Sequence, residues 1–274
     1  MMNEITGVFF LINGVPEPVE KFDEICEKIK FDVYEVIRIL NNTPLFSEDH
    51  FNRMARSLQL IHKHIPLDLN RFEIQLKQLA AINNFPDGNI KIIVEEQARN
   101  LVMHFIPHYY PTETEYRQGV KTGFYHAERT NPNVKTHLTG LRKNVYTYLR
   151  ESGYFEVFYV DRNGIITEGS RSNVFFVGDG IVYTCPPEKV LLGITRQKVT
   201  ECLENLNIQL FEKEVSVGEV ALFESVFLTG TSPKVLPVSS IDGLKFSCEN
   251  TIMQAIMEEY DRMIDRYIRS KSSA

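Results

Sequence analysis

The stretch "DRNGIITEGSRSNVFFV", Asp161 to Val177, sets two apolar, β-branched runs on either side of a polar knot. The Asn163-Gly164 pair before the first run is a turn. The knot, Glu168-Gly169-Ser170-Arg171-Ser172-Asn173, has no such plain explanation. A strand that stops at Glu-Gly and resumes at Asn can aim one carboxylate sideways while nearby backbone amides stay available. Taken alone, the same segment reads as a strand end with a solvated acid.

Outward from the knot, the pattern is strand-rich. "FEVFYV", "GIITE", "NVFFV" and "IVYT" are four short apolar runs punctuated by Asn163-Gly164 and Gly178-Asp179-Gly180, and they predict a meander. A helix is expected from about Thr139 to Ser152 before them. After them "TRQKVTECLENLNI" is amphipathic, with Val199, Cys202, Leu203 and Leu206 on one face. "SVFLTG" and "VLPVSSIDG" follow as strands, and a long helix from about Glu249 to Ser270 closes the chain. The N-terminal part opens with the strand "GVFFLING". "FDVYEVIRILNNTPLF" predicts two more strands joined at Asn41-Asn42, and "NIKIIVEE" pairs with "NLVMHFIPHYY". Between these lie two helices. One starts at Ser47 as N-cap and carries Phe51, Met54, Leu58 and Ile61; the other carries Phe72, Leu76, Leu79 and Ala80. "PTETEYRQG" is polar and aperiodic, so it marks a boundary between residues 1–114 and 118–274. Both parts mix helices and strands, which predicts two α/β domains.

The chain has 274 residues, 43% hydrophobic and 24% charged, as a folded globular protein of this length requires. A net charge of −6 argues against non-specific nucleic-acid binding. Cys26, Cys185, Cys202 and Cys248 form no CxxC pair, so a zinc or redox site is not indicated and a reduced, cytoplasmic setting is expected. The short apolar run Gly7 to Ile12 has no basic lead, which argues against a signal peptide, and no run is long enough to span a bilayer.

Besides the knot, three segments can carry chemistry. In "LLGITRQKV", Ile194 and Thr195 open a helix whose first amides suit a phosphate; the plainer alternative is an ordinary threonine cap. In "FLTGTSPKVLPV", Thr229-Gly230-Thr231-Ser232 allows close backbone approach to an anion, or simply forms a turn before Pro233. In "NPNVKTHL", Lys135 sits beside Val134, where a lysine that loses its proton can form a Schiff base; most lysines are surface residues. "EGSRS" lacks the second glycine of a G-x-S-x-G elbow, which argues against a serine hydrolase, and His62 and His64 have no partner ligands at metal spacing.

The order of all four segments is what discriminates. V-K-T, then E-G-S-x-S-N-x-F, then L-x-G-I-T-R, then T-G-T-S resembles the fold-type IV (class IV) pyridoxal-phosphate aminotransferase family. That family includes branched-chain and D-amino-acid aminotransferases and aminodeoxychorismate lyase. Glu168 follows Lys135 by 33 residues, close to the family's separation. "YEVIRI" and "FSEDHFNRMARSLQLI" resemble the family's N-terminal strand and its Phe-x-x-x-x-His-x-x-Arg-x-x-x-Ser helix.

The resemblance implies a small N-terminal α/β sandwich, a larger C-terminal α/β pseudo-barrel and a homodimer. It implies pyridoxal 5′-phosphate as cofactor, an amino acid and a 2-oxo acid as substrates, and no nucleic-acid or membrane partner. Lys135 would hold the cofactor and shuttle the Cα proton, and Glu168 would pair with the ring nitrogen. Arg53, Ile194, Thr195 and Thr231 would bind the phosphate, and Tyr34 would border the substrate. Three departures stand out. Gly140 occupies the place of a tyrosine found in branched-chain enzymes. Arg99 and His104, candidates for the substrate carboxylate, do not have the Arg-x-His spacing of D-amino-acid enzymes. Lys143 is a rival for the cofactor lysine, disfavoured by its expected place on the following helix. Transamination is the first expectation. Aminodeoxychorismate lyase activity is the alternative, and a non-catalytic metabolite-binding protein of the same fold is a distant third.

Overall fold

A computed structural model describes residues 5–26, 31–65, 67–95, 100–129, 132–135 and 139–272. The chain divides into two units. The first holds Met1–Tyr109, Val134–His137 and Ile264–Ala274; the second holds Tyr110–Asn133 and Leu138–Met263. Lys135 thus groups with the first unit, although most of its neighbours in sequence belong to the second.

In the first unit the elements run β1 (Thr6–Ile12), β2 (Val15–Pro18), a short α1 (Phe22–Cys26), β3 (Phe31–Leu40), β4 (Thr43–Pro44), α2 (Ser47–Leu60), α3 (Leu69–Asn83), β5 (Gly88–Glu95) and β6 (Leu101–Ile106). The strands form one antiparallel sheet of order β2-β1-β6-β5-β3-β4. Alternation along the strands decides which side chains meet the helices. Val33, Ile37 and Ile39 of β3 and Ile90, Ile92 and Val94 of β5 pack with Met54 and Leu58 of α2 and Phe72, Leu76 and Leu79 of α3. Each such side chain contributes about 1.5–3 kcal/mol of transfer free energy. The opposite face carries Tyr34, Lys91 and His104: Tyr34 lies across from Ile93, and Lys91 lies across from Val36 and His104.

Ser47 departs from its expected role. Phe46, in the left-handed region at φ 51°, is the N-cap of α2, and Ser47 is the first helical residue. The Ser47 hydroxyl instead donates to Glu73 Oε1 at 2.5 Å, so a tertiary partner has displaced the local cap.

In the second unit the elements run α4 (Glu113–Gln118), β7 (Val120–His126), α5 (Thr139–Ser152), β8 (Glu156–Val160), β9 (Ile165–Gly169), β10 (Asn173–Gly178), β11 (Ile181–Thr184), α6 (Ile194–Asn205), β12 (Leu210–Glu212), β13 (Val215–Ser216), β14 (Ser225–Gly230), β15 (Lys234–Ile241), β16 (Leu244–Lys245) and α7 (Thr251–Ser272). From Ile264 onward α7 belongs to the first unit. The sheet order is β12-β11-β10-β14-β15-β7-β8-β9-β13, with β16 on β15. It is mixed: β7 is parallel to β8 and β15, and β12 is parallel to β11. Phe158, Val160, Ile166, Val174, Phe176, Val226, Leu228, Leu236 and Val238 make its core.

The polar, aperiodic "PTETEYRQG" carries α4 behind a capping box in which Glu115 N donates to Thr112 Oγ1 at 3.2 Å and Thr112 N to Glu115 Oε2 at 2.8 Å. A helix of fewer than two turns is too short to show periodicity. The expected four-strand meander is broken. β9 lies between β8 and β13, whereas β10 lies between β11 and β14. The polar knot is the link that takes the chain out of one pairing and into the other.

Candidate active site

In the first unit the candidate residues begin on β3. Glu35 is fully buried on the helix-facing side of the sheet. Arg53 grips it with two bonds, Nε to Oε1 at 2.8 Å and Nη2 to Oε2 at 2.6 Å, and His50 Nδ1 lies 2.8 Å from Oε2. His50 and Arg53 are three residues apart on α2, so one helix face presents both. Burial alone would raise the Glu35 pKa; the Arg53 charge and the bonds from His50 and Arg53 override it and hold the carboxyl well below its usual range. Burial lowers the His50 pKa despite the pull of Glu35, and the Arg53 and Lys135 charges lower it further. At neutral pH His50 is therefore an uncharged ring donating from Nδ1.

Tyr34, next to Glu35, points to the other face. Its amide donates to the Lys135 carbonyl at 3.1 Å, which ties the segment carrying that lysine to the edge of β3. The Lys135 ammonium lies 5.0 Å from the centre of the Tyr34 ring, and the buried Lys91 ammonium lies 5.8 Å from the same centre. His104 is buried on β6 opposite Lys91, edge-on to Phe22 at 4.8 Å. Arg99 lies outside the described residues. Lys143 is exposed on α5.

In the second unit the knot builds a compact arrangement. Glu168, 4% exposed near the end of β9, accepts from Arg129 Nη1 at 3.1 Å and from the Leu191 amide at 3.0 Å. Asn173, first residue of β10, donates from Nδ2 to the Leu191 carbonyl at 2.8 Å. Leu191 leads directly into Gly193, the N-cap of α6, which makes no side-chain cap. A Cβ at Gly193 would collide with Asn173 Oδ1, so only glycine lets the helix start this close to the knot. Ile194 and Thr195, both buried, then open α6. Asn173 pairs across the sheet with Thr229, and half-buried Thr231 follows the end of β14, so all of these lie at one end of the β10–β14 pair. Ser172 Oγ and Thr229 Oγ1 are buried there with no hydrogen-bond partner among the described residues. Hydroxyls left this way suit a polar ligand.

The structure thus brings Glu168, Ile194, Thr195 and Thr231 to one end of a sheet, and Lys135 to Tyr34. It places Arg53 in an ion pair that was not foreseen. Glu35, Lys91, Arg129 and the side-chain role of Asn173 were missed. An acid inside the apolar run "YEVIRI" was the available signal for Glu35; "ERTNPN" holds none for Arg129.

Residues 32–241 match the amino-transferase class IV family. The chain belongs to that family. A D-alanine aminotransferase of Bacillus licheniformis is 30% identical over 224 residues, covering 77% of this chain and 79% of the relative. The branched-chain amino acid aminotransferase of Escherichia coli superposes with a TM-score of 0.82 at 21% identity, covering 94% of this chain and 95% of the other. A branched-chain amino acid aminotransferase from T.th., solved with pyridoxamine 5′-phosphate, gives 0.80 at 23% identity, with 95% of each chain covered. This class IV aminotransferase has the mixed α/β fold of its family and is an enzyme of amino-group transfer. Class IV aminotransferases use pyridoxal phosphate. Among the described residues no helix is long and apolar enough to cross a membrane.

Proposed function

We propose that this class IV aminotransferase binds pyridoxal 5′-phosphate and moves an amino group between an amino acid and a 2-oxo acid. The observation that carries the reading is Glu168, a buried carboxylate fixed by Arg129 and by the Leu191 amide beside the uncapped start of α6. The residues present fit the cofactor. A buried, unpartnered hydroxyl on Thr229, across the ladder from Asn173, and a glycine whose added Cβ would collide with Asn173 lie at the sheet end where helix amides would meet a phosphate. Bound, the pyridoxal ring supplies an electron sink for charge developing at the substrate Cα.

Each residue then has a task. The Lys135 amine would hold the cofactor and, once displaced by the substrate amine, would take the proton from Cα. Glu168 holds a proton on the ring nitrogen. Ile194, Thr195 and Thr231 give amides and hydroxyls to the phosphate, and Arg53 gives it a charged donor. Tyr34 borders the substrate, and His104 and Arg99 serve its carboxylate. The working form is a homodimer in the cytoplasm, which sedimentation at twice the chain mass would support.

Borohydride trapping tests the lysine. Wild type and Lys143→Ala should retain a covalent cofactor adduct, and Lys135→Ala should not. The reverse pattern would overturn the lysine assignment, and no visible cofactor band in any form would overturn the cofactor. A panel of amino donors and 2-oxo acids, with aminodeoxychorismate included, separates transfer from pyruvate release, since both begin with loss of the Cα proton.

A further inference from the structure

Glu168 stands where the β8–β9 ladder is irregular. Phe158 pairs with Gly169 and Val160 with Ile166, so three steps on β9 match two on β8. A bulge of this kind re-aims a side chain and leaves it without regular ladder support. What holds the turn just beyond it is a second buried carboxylate. Glu156, at the start of β8, is 2% exposed. It accepts a short hydrogen bond from the Ser170 hydroxyl, and Arg171 Nε approaches its other oxygen at 3.4 Å. Arg171 Nη2 also donates to the Phe155 carbonyl at 2.7 Å, and the Ser170 amide donates to the Val157 carbonyl at 3.0 Å. The Arg171 side chain is otherwise 62% exposed, so its ordering at this one place is a local device. Gly169 N completes the turn by donating to the Ser172 carbonyl at 2.8 Å.

We propose that Glu156 is a positioning residue for Glu168: by gripping Ser170 and Arg171 it locks the bulge and aims the Glu168 carboxylate. The inference rests on the reading of Glu168 as the partner of the cofactor ring nitrogen. Glu156 touches neither substrate nor cofactor in this scheme. It acts by fixing the backbone two residues downstream of the acting carboxylate. The Ser170 and Arg171 side chains of the knot thereby acquire a task, as the rungs of that grip.

The test is a double-mutant cycle on the holoenzyme, with Glu156→Gln, Glu156→Ala and Ser170→Ala, each alone and combined with Glu168→Gln. Three quantities are read: the pyridoxal phosphate Kd by fluorescence, the pH midpoint of the bound cofactor's visible band, and kcat and KM separately. Misplacement of a reacting group costs up to about a hundredfold, so Glu156→Ala and Ser170→Ala should lower kcat between about ten- and a hundredfold with KM little changed. They should move the band midpoint toward that of Glu168→Gln, and have no further effect once Glu168 is already Gln. Glu156→Gln keeps an acceptor for Ser170 and should retain more activity than Glu156→Ala. If Glu156→Ala fails to fold, Ser170→Ala carries the same comparison. Unchanged band and kcat in Ser170→Ala, or effects that add in full to Glu168→Gln, would overturn the proposal while leaving the function intact. A silent Glu168→Gln would remove the reading of Glu168 itself, and this proposal with it.

Discussion

Glu168 and Asn173 hold the same residue from its two ends: Glu168 Oε2 takes the Leu191 amide at 3.0 Å, and Asn173 Nδ2 gives to the Leu191 carbonyl at 2.8 Å. The acid and the entrance to α6 are therefore one rigid piece. Asn173→Ala removes one buried bond to the Leu191 carbonyl, which keeps the Gly193 amide as its other donor at 2.8 Å, at a cost of about 0.5–1.5 kcal/mol. It should lower the melting temperature and raise the Kd for pyridoxal phosphate together, measured by thermal unfolding and by fluorescence titration.

Gly193→Ala probes the same joint from the helix side. The added methyl would collide with Asn173 Oδ1, and Asn173 can yield only by losing its bond to Leu191. The expected cost is about 1–3 kcal/mol of overpacking. Combining it with Asn173→Ala, which clears the clash, should cost less than the sum of the two, as chemical denaturation would show.

Stability should fall as the pH drops below neutrality, and two groups set the sign. Burial, aided by the Arg53 and Lys135 charges, depresses His50 below its ordinary 6.5, so the unfolded chain binds that proton first and stability rises with pH through the window below 6.5. Burial of Glu35 is outweighed by Arg53 and His50, so its pKa lies below the ordinary 4.5. Its contribution is complete above 4.5 and is lost as the pH falls toward its folded value. Glu35→Gln leaves Arg53 a buried charge without its carboxylate, which should cost about 3–5 kcal/mol at pH 7. Its melting temperature should also fall less steeply below pH 4.5 than that of the wild type, by thermal unfolding from pH 7 to 3, since Glu48, Glu128 and Glu219 keep their own share of the slope.

Lys91 shares the Tyr34 ring with Lys135 and is buried on a sheet face away from the helices. A cation so placed favours anionic groups near the Lys135 amine, the one proposed to react. Lys91→Met should raise KM for dicarboxylic donors about tenfold, near 1.4 kcal/mol, with a smaller effect on neutral ones. Equal effects on both donor classes in steady-state kinetics would count against this.

Much of this was legible in the residues. The helices on Met54 and Leu58 and on Phe72 and Leu76 followed from spacing, and the longer strands showed as apolar runs bounded by turn residues, whereas the short β2, β12, β13 and β16 left no such mark. The pairing of β10 with β14 rather than β9 did not, since ladder partners far apart in sequence leave no local mark. At the site, Glu168, Lys135 and the openings at Ile194 and Thr231 stood out by residue type and order. Arg129 on Glu168 and Arg53 on Glu35 did not, because ion-pair partners are chosen by three-dimensional proximity.

The discontinuity of the first unit limits how the chain can be dissected. Cutting at the Tyr109–Tyr110 junction would part Ser47 and Glu48 from Tyr267, whose hydroxyl donates to Glu48 at 2.6 Å, and part Glu73 from Lys271 at 2.9 Å. It would also remove the Lys135 carbonyl from β3. A fragment ending at Tyr109 would thus carry an acidic helix entrance stripped of its cation and a strand edge stripped of its acceptor. Expression of that fragment, or a split reporter divided at that point, should give poorly folded material.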